Sequence, residues 1–124
     1  MISRRRLCTS AAALLALAGG ARDAAAAPPI ERQVALVIGN ASYRVGALKN
    51  PVNDAQAVAG ALRGLGFDVA LRENTSLREM IEAFRQFSLN ARSARVRVVY
   101  YAGHGVQVKG RNYLLPVDTE IRTE

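Results

Sequence analysis

Residues 33–39 read QVALVIG, a nearly continuous run of aliphatic and β-branched side chains that ends in a glycine. A run of this length without polar alternation is typical of a strand that is buried on both faces, as in a parallel sheet covered by helices. We therefore interpret Gln33–Gly39 as the first strand and expect it to lie in the centre of the sheet.

The segment after this strand predicts a helix followed by a second strand. Asn50 followed by Pro51 is a usual helix start, because proline fits the first helical turn. Gly64 and Gly66 are natural C-terminal caps, and Phe67–Leu71 reads as the second strand. The apolar stripe of the helix, spaced by three and four residues, consists of Val52, Ala55, Ala59 and Leu62.

A second helix, a third strand and a hairpin follow. Ser76 with Glu79 three residues later predicts a capping box at the helix start. Arg95–Tyr101, with the sequence RVRVVYY, is the third predicted strand, and Val106–Lys109 with Asn112–Leu115 predicts a short hairpin. Five large apolar residues are expected on one face of the helix: Leu77, Met80, Ile81, Phe84 and Phe87.

The order β-α-β-α-β predicts an α/β fold with parallel strands joined by right-handed crossovers and helices packed on the sheet. Functional groups of such sheets gather just beyond the C-terminal ends of the strands. Asn40, Glu73 and His104 follow the three predicted strands. We therefore expect these three residues to lie along one edge of the sheet.

His104 is the only histidine, and it lies between Gly103 and Gly105. The two glycines would let the backbone turn sharply and leave the imidazole open to a substrate. Imidazole can accept a proton from a nucleophile and return it to a leaving group near neutral pH. A single histidine in a loop is more often a hydrogen-bonded turn residue, so both interpretations stay open on these residues alone.

Composition excludes several classes of protein and of site. A chain of 124 residues that is 50% hydrophobic and 22% charged favours one globular domain over a disordered or coiled-coil chain. After residue 26 the sequence has 13 basic and 9 acidic residues, which are spread along the chain, so we expect no nucleic-acid partner. Zinc would need further His or Cys ligands. We predict no metal and no organic cofactor.

Residues 1–26 have the pattern of a signal peptide. Three arginines in Ser3–Leu7 precede an apolar run over residues 7–20, and Ala24–Ala26 supplies small residues for cleavage after Ala26. The run is too short to span a bilayer, so we expect export to the bacterial periplasm or the exterior without a stable membrane anchor. Both a twin-arginine signal and a plain secretory leader fit. Cys8, the only cysteine, lies inside this leader.

Six motifs occur in order between residues 32 and 118. They are VALVIGN at 34–40, Tyr43, LKNPVNDA at 48–55, LRGLGFDV at 62–69, YYAGHG at 100–105 and NYLLPVD at 112–118. Together they resemble the N-terminal part of the caspase-like cysteine peptidases, peptidase family C14. The last tract is similar to the bacterial metacaspase-type members.

The resemblance implies a three-layer α/β/α caspase-like domain over residues 27–124, incomplete at its C-terminus, with His104 as catalytic histidine. Gly103 and Gly105 would support the loop or the oxyanion. The substrate would be a peptide or protein, with its binding residues unknown. The family cysteine lies about 50 residues beyond the histidine, so we expect this chain alone to be inactive and leave open its pairing with a C-terminal segment. The alternative is a caspase-like binding module without activity.

Overall fold

The structure is a computed structural model of the chain, and it describes residues 31–120. The predicted signal peptide over residues 1–26, its cleavage after Ala26 and Cys8 lie outside the described residues. No helix within residues 31–120 is both long enough and apolar enough to cross a membrane.

Three parallel strands form the main sheet, in the order β2-β1-β3. They are β1 (Gln33–Gly39), β2 (Asp68–Glu73) and β3 (Val96–Ala102). The predicted bounds of β1 are confirmed, and its central position is confirmed too. The other two strands start one residue later than predicted and also end later, because both pair with β1 as far as Gly39.

Two helices cover opposite faces of this sheet. Helix α1 (Pro51–Gly64) packs Ala55 and Ala59 against Val37 of β1. Helix α2 (Leu77–Asn90) packs Ala83 against Leu36 and Ile38, which point to the other face. Since successive residues of a strand alternate between faces, one apolar strand supplies the core of both layers. The predicted three-layer α/β/α architecture is confirmed for the described part of the chain.

Helix α1 lies unusually close to β1. A Cβ atom on Gly39 would be 2.6 Å from the carbonyl oxygen of Pro51 and 2.7 Å from the Cβ of Ala55, so only glycine fits there. Asn50 occupies the N-cap position, but its side chain makes no capping hydrogen bond. Gly66 follows the helix with φ 88°, the left-handed conformation that the sequence predicted for a helix end.

Helix α2 begins with the predicted capping box. The Ser76 hydroxyl accepts a hydrogen bond from the Glu79 amide at 3.2 Å, and the Glu79 carboxylate accepts one from the Ser76 amide at 2.8 Å. The five apolar residues predicted on one face of the helix do share one side of it, but this side is only partly buried. Leu77 and Ile81 are 55% and 60% exposed, whereas Met80 is buried. At about 100° per residue, Leu77 and Ile81 lie about 120° and 160° around the helix from the buried Ala83.

The predicted hairpin follows β3, shifted by one residue. It consists of β4 (Gly105–Val108) and β5 (Arg111–Leu114), which pair antiparallel. Lys109 and Gly110 form the turn with φ 49° and 77°, as expected for a two-residue hairpin loop in which both residues are left-handed.

The chain returns from the hairpin to the start of α2. The Val117 amide donates to the Thr75 carbonyl at 2.9 Å. The Asp118 carboxylate accepts from the Leu77 amide at 2.9 Å. The tract after the hairpin is therefore joined to the same edge of the sheet at which β1 and β3 end.

Candidate active site

The three residues predicted at the carboxyl edge of the sheet all lie there, but in different surroundings. Asn40 directly follows β1 and is fully buried. Glu73 is the last residue of β2 and is exposed, where it accepts a hydrogen bond from Gln56 at 2.8 Å. His104 lies between β3 and the hairpin and is partly buried.

Asn40 joins β1 to the start of α2. Its Oδ1 accepts hydrogen bonds from the Thr75 amide at 2.8 Å and from the Thr75 hydroxyl at 2.9 Å. Its Nδ2 donates to the Leu115 carbonyl at 3.4 Å and to the Met80 sulfur at 3.6 Å. With its amide used in this way, Asn40 is a structural residue of the edge.

The His104 imidazole is hydrogen-bonded to the loop between β1 and α1. Its Nε2 lies 2.5 Å from the carbonyl oxygen of Gly46. A carbonyl oxygen only accepts hydrogen bonds, so Nε2 carries a proton and the neutral ring keeps its lone pair on Nδ1. Gly46 has φ 72°, and a Cβ atom there would be 3.3 Å from Nε2. Glycine at position 46 therefore brings this carbonyl to the histidine.

Tyr43 contacts the same histidine from a second side. Its ring centroid is 4.6 Å from that of the imidazole, and the two ring planes are tilted by 57°. Its hydroxyl accepts a hydrogen bond from the His104 amide at 2.9 Å. The side chain of Tyr43, only 6% exposed, thus touches both the ring and the backbone of His104.

Tyr101 completes this arrangement from the end of β3. Its hydroxyl lies 2.7 Å from the His104 carbonyl oxygen and 3.0 Å from the Tyr43 hydroxyl. Both hydroxyls also lie within 2.9 Å of the Leu115 carbonyl. Burial, together with the Tyr43 hydroxyl, raises the pKa of Tyr101 above its ordinary value, so this phenol stays protonated and able to donate.

Gly103 lies at a bend of the chain and is also required for space. A Cβ atom there would lie 2.6 Å from the Tyr101 hydroxyl and 2.7 Å from the Tyr43 hydroxyl. Neither Gly103 nor Gly105 is left-handed, and Gly105 is the first residue of β4. The chain bends at Gly103 as expected, without a left-handed residue. In addition, the two phenols occupy the place of a side chain at position 103.

Sequence reasoning missed Gly46, Tyr43 and Tyr101 as neighbours of His104. The two tyrosines entered the sequence analysis only as parts of motifs. Tyr43 comes just after β1 and Tyr101 lies at the end of β3, and these positions at the carboxyl ends of neighbouring strands could have indicated that both lie near His104. Within residues 31–120, no three His, Cys, Asp or Glu side chains lie close enough to share a metal ion.

A surface groove next to the sheet does not include His104. It has a volume of about 430 Å³, lies between β2 and α2, and is lined by charged groups of both signs, among them Arg72, Arg78, Glu79 and Glu82. The histidine lies instead at an open edge, where its chemistry depends on the groups placed around it.

Comparison with known proteins connects this geometry to one family. The family model described as the caspase domain matches residues 32–124. The human mucosa-associated lymphoid tissue lymphoma translocation protein 1 is 36% identical over 92 residues, and its mouse homolog is equally similar. Each match covers 73% of this chain and 11% of the relative, so the chain spans about a ninth of those proteins.

The family match covers the strands, both helices, the histidine loop and the hairpin. It confirms the predicted caspase-like identity and the α/β fold, while the metacaspase type stays a prediction. The matched region thus contains the parallel sheet, the helices on both of its faces and the histidine loop at its carboxyl edge. The chain belongs to the caspase family of peptidases.

Proposed function

We propose that this chain is the histidine-bearing N-terminal part of an exported, caspase-like cysteine endopeptidase. His104 would be its general base and acid. The observation that carries the proposal is the hydrogen bond between Nε2 of His104 and the Gly46 carbonyl. That bond leaves Nδ1 as the nitrogen that can take a proton from a thiol.

In the proposed reaction, Nδ1 of His104 takes the thiol proton as the sulfur attacks the carbonyl carbon of the scissile peptide bond. The imidazolium then gives this proton to the nitrogen of the leaving amine, which leaves a thioester. Water hydrolyses the thioester with Nδ1 again as base, and the thiol is restored. Throughout, the Gly46 carbonyl holds Nε2–H and stabilises the positive ring. Gly105 would offer its amide to the oxyanion, and Gly103 would support the loop.

The thiol is the part of this reaction that the present sequence does not provide. Its only cysteine, Cys8, lies in the predicted leader. The proposal therefore places the nucleophile in a further segment, about 50 residues beyond His104 as in caspases. That segment would add its strand next to β3, and this chain alone would not hydrolyse peptides.

Reading the DNA after codon 124 in three frames tests this part of the proposal. We expect a strand followed by a cysteine loop within about 60 codons. The extended protein should cleave a peptide library, measured by mass spectrometry. His104→Ala should lower the rate by about 10²-fold or more.

Glu73→Gln is the matched control, because Glu73 lies at the same edge of the sheet without touching His104. We expect it to leave the rate unchanged. An extended protein that keeps its activity in His104→Ala would contradict the proposed role of the histidine. Peptide hydrolysis by the 124-residue chain itself, abolished in His104→Ala, would contradict its proposed inactivity.

A binding module without activity is the second candidate. The observation that favours it is the outer edge of β3, which pairs with no strand in the described part of the chain and has Val96 and Val99 exposed. Such an edge can accept an extended peptide by strand addition. A chain that is a soluble monomer in size exclusion and unfolds cooperatively on heating would favour the binding module. An insoluble chain would favour the N-terminal part of a peptidase.

Export is proposed on the leader pattern alone. The chain expressed in a bacterial host should be recovered from the periplasm with Ala27 as its first residue. Recovery from the cytoplasm with residues 1–26 retained would contradict it.

A further inference from the structure

Two tyrosine hydroxyls from distant parts of the chain meet beside the backbone of His104. Tyr43 comes from the loop after β1, and Tyr101 is the residue before last in β3. Their oxygens are 3.0 Å apart, and we call them the phenol pair. Both phenols are at least partly buried, in a place where a polar group needs a partner.

The phenol pair binds the main chain of His104 at both of its polar groups. Tyr43 accepts from the His104 amide at 2.9 Å, and Tyr101 donates to the His104 carbonyl at 2.7 Å. The Leu115 carbonyl is the remaining acceptor, 2.8 Å from the Tyr43 oxygen. Two hydroxyl protons thus serve two carbonyl oxygens, and each phenol has a defined partner.

The imidazole is held by the same residues that hold the backbone. The ring of Tyr43 packs on one side of the imidazole, while its hydroxyl binds the amide of the same histidine. A displacement of the His104 backbone would therefore also change the position of Nε2 relative to the Gly46 carbonyl.

Position 103 shows that the phenol pair needs this space to be free of a side chain. Its missing Cβ atom leaves room for both hydroxyls, which would otherwise be at 2.6 and 2.7 Å from that atom. The Leu115 amide adds a second hydrogen bond to the His104 carbonyl at 3.0 Å. The His104 carbonyl thus accepts two hydrogen bonds, from Tyr101 and from the Leu115 amide, whereas the His104 amide donates only to Tyr43.

We infer that Tyr43 and Tyr101 are positioning residues that keep His104 in its Nε2–H tautomer, with Tyr43 the more important of the two. This inference deepens the proposed function, since the tautomer matters to catalysis only if His104 is the base. Its test measures the ring directly and needs no peptide hydrolysis, so its failure is separate from a failure of the proposed function.

The test uses the full chain with ¹⁵N-labelled histidine, which gives a single set of imidazole signals because His104 is the only histidine. Nitrogen shifts, recorded where the imidazole is neutral, report the ratio of the two tautomers. Tyr43→Phe should shift this ratio towards the Nδ1–H form by roughly tenfold, the worth of one hydrogen bond. It should also speed hydrogen exchange of the His104 amide by a similar factor. Tyr101→Phe should have a smaller effect on both.

Tyr113→Phe is the control, because this exposed tyrosine of β5 loses a hydroxyl that has no partner among the described residues. An unchanged ratio and exchange rate in a folded Tyr43→Phe chain would overturn the inference, as would an equal change in Tyr113→Phe. If Tyr43→Phe fails to fold, the same signals are measured in the unsubstituted chain. Equal populations of both tautomers there would overturn the inference, and so would the absence of a nuclear Overhauser effect between the Tyr43 and His104 rings.

Discussion

The interior of β1 and the edge at which it ends are stabilised in different ways. Residues 34–38 are aliphatic, fully buried or nearly so, and packed between the two helices. One residue past the strand, the buried groups become polar, as at Asn40 and Thr75. Within residues 31–120, every buried nitrogen or oxygen of a side chain has a hydrogen-bond partner.

The difference lies in how strongly each region depends on geometry. Burial of apolar surface stabilises in proportion to area and has no preferred direction. Hydrogen bonds at the edge require donor and acceptor at about 2.7–3.2 Å and in line. A substitution in the interior should therefore lower stability without changing His104, whereas a substitution at the edge should move His104 at a smaller cost in stability.

The largest effect is expected from Leu36→Ala. Leu36 is 0% exposed and packs against Ala83 and neighbouring residues of α2. The substitution should lower the free energy of unfolding by about 2–5 kcal/mol, measured by urea denaturation. This is a large share of the roughly 5–15 kcal/mol of a typical domain. The imidazole ¹⁵N signals of the folded fraction should stay where they are.

Leu65→Ala is the matched control for this prediction. Leu65 is 71% exposed at the end of α1, so the same loss of atoms should change the free energy of unfolding by no more than about 0.5 kcal/mol. A comparable loss in both variants would contradict the view that residues 34–38 supply the core.

The second largest effect is expected when the same substitution, glycine to alanine, is made at the edge of the sheet and inside a helix. Gly103→Ala pushes a Cβ atom against the phenol pair and should cost about 1–3 kcal/mol, with a change in the His104 imidazole signals. Gly60→Ala, inside α1 with no atom within 4 Å of the new Cβ, should instead raise stability by about 0.5–1 kcal/mol. Urea denaturation measures both, and a loss at position 60 as large as at position 103 would contradict the crowding argument.

The parts of the fold that could be predicted are those whose sequence pattern lies within a few neighbouring residues. The apolar run of β1 and the capping box at Ser76 lie within a few residues, and both were predicted with their bounds. Leu77 and Ile81 belong to the predicted stripe and are nevertheless exposed, because periodicity defines a stripe but not how much of it the sheet covers. The C-terminal ends of β2 and β3 depend on their register with Gly39, which no pattern inside those strands contains.

The candidate site was predictable only in part, for the same reason. His104 was placed at the carboxyl edge because parallel strands all end there. Its partners Gly46 and Tyr43 are 58 and 61 residues away in the sequence. A glycine in a polar loop indicates a turn, but nothing in the loop shows that its carbonyl meets an imidazole. Such pairings follow from the assembled sheet.

A smaller effect at the edge is expected at alkaline pH. Burial and the Tyr43 hydroxyl raise the pKa of Tyr101 above its ordinary 10.0, so the folded chain favours the neutral phenol. The resulting stabilisation is fully present below pH 10 and is lost as the pH rises through the higher pKa of the folded state. Unfolding of the chain and of Tyr101→Phe, followed by urea denaturation between pH 8 and 12, should show their difference shrinking above about pH 10. A constant difference would contradict the burial of this hydroxyl.

The smallest effect is expected from Glu82→Gln on the surface of α2. Glu82 accepts from Arg85 at 2.7 and 2.8 Å and from Gln86 at 3.0 Å, and the Arg85 hydrogen bonds lower its pKa to about 2. Its contribution is therefore present above pH 4.5 and is lost as the pH falls through about 2. Because this pair is solvent-exposed and screened by salt, the urea midpoint at pH 7 should change less than in Leu36→Ala or Gly103→Ala. A shift larger than that of Gly103→Ala, persisting in 1 M salt, would mean that surface charge outweighs packing at the edge, which would contradict the comparison between these regions.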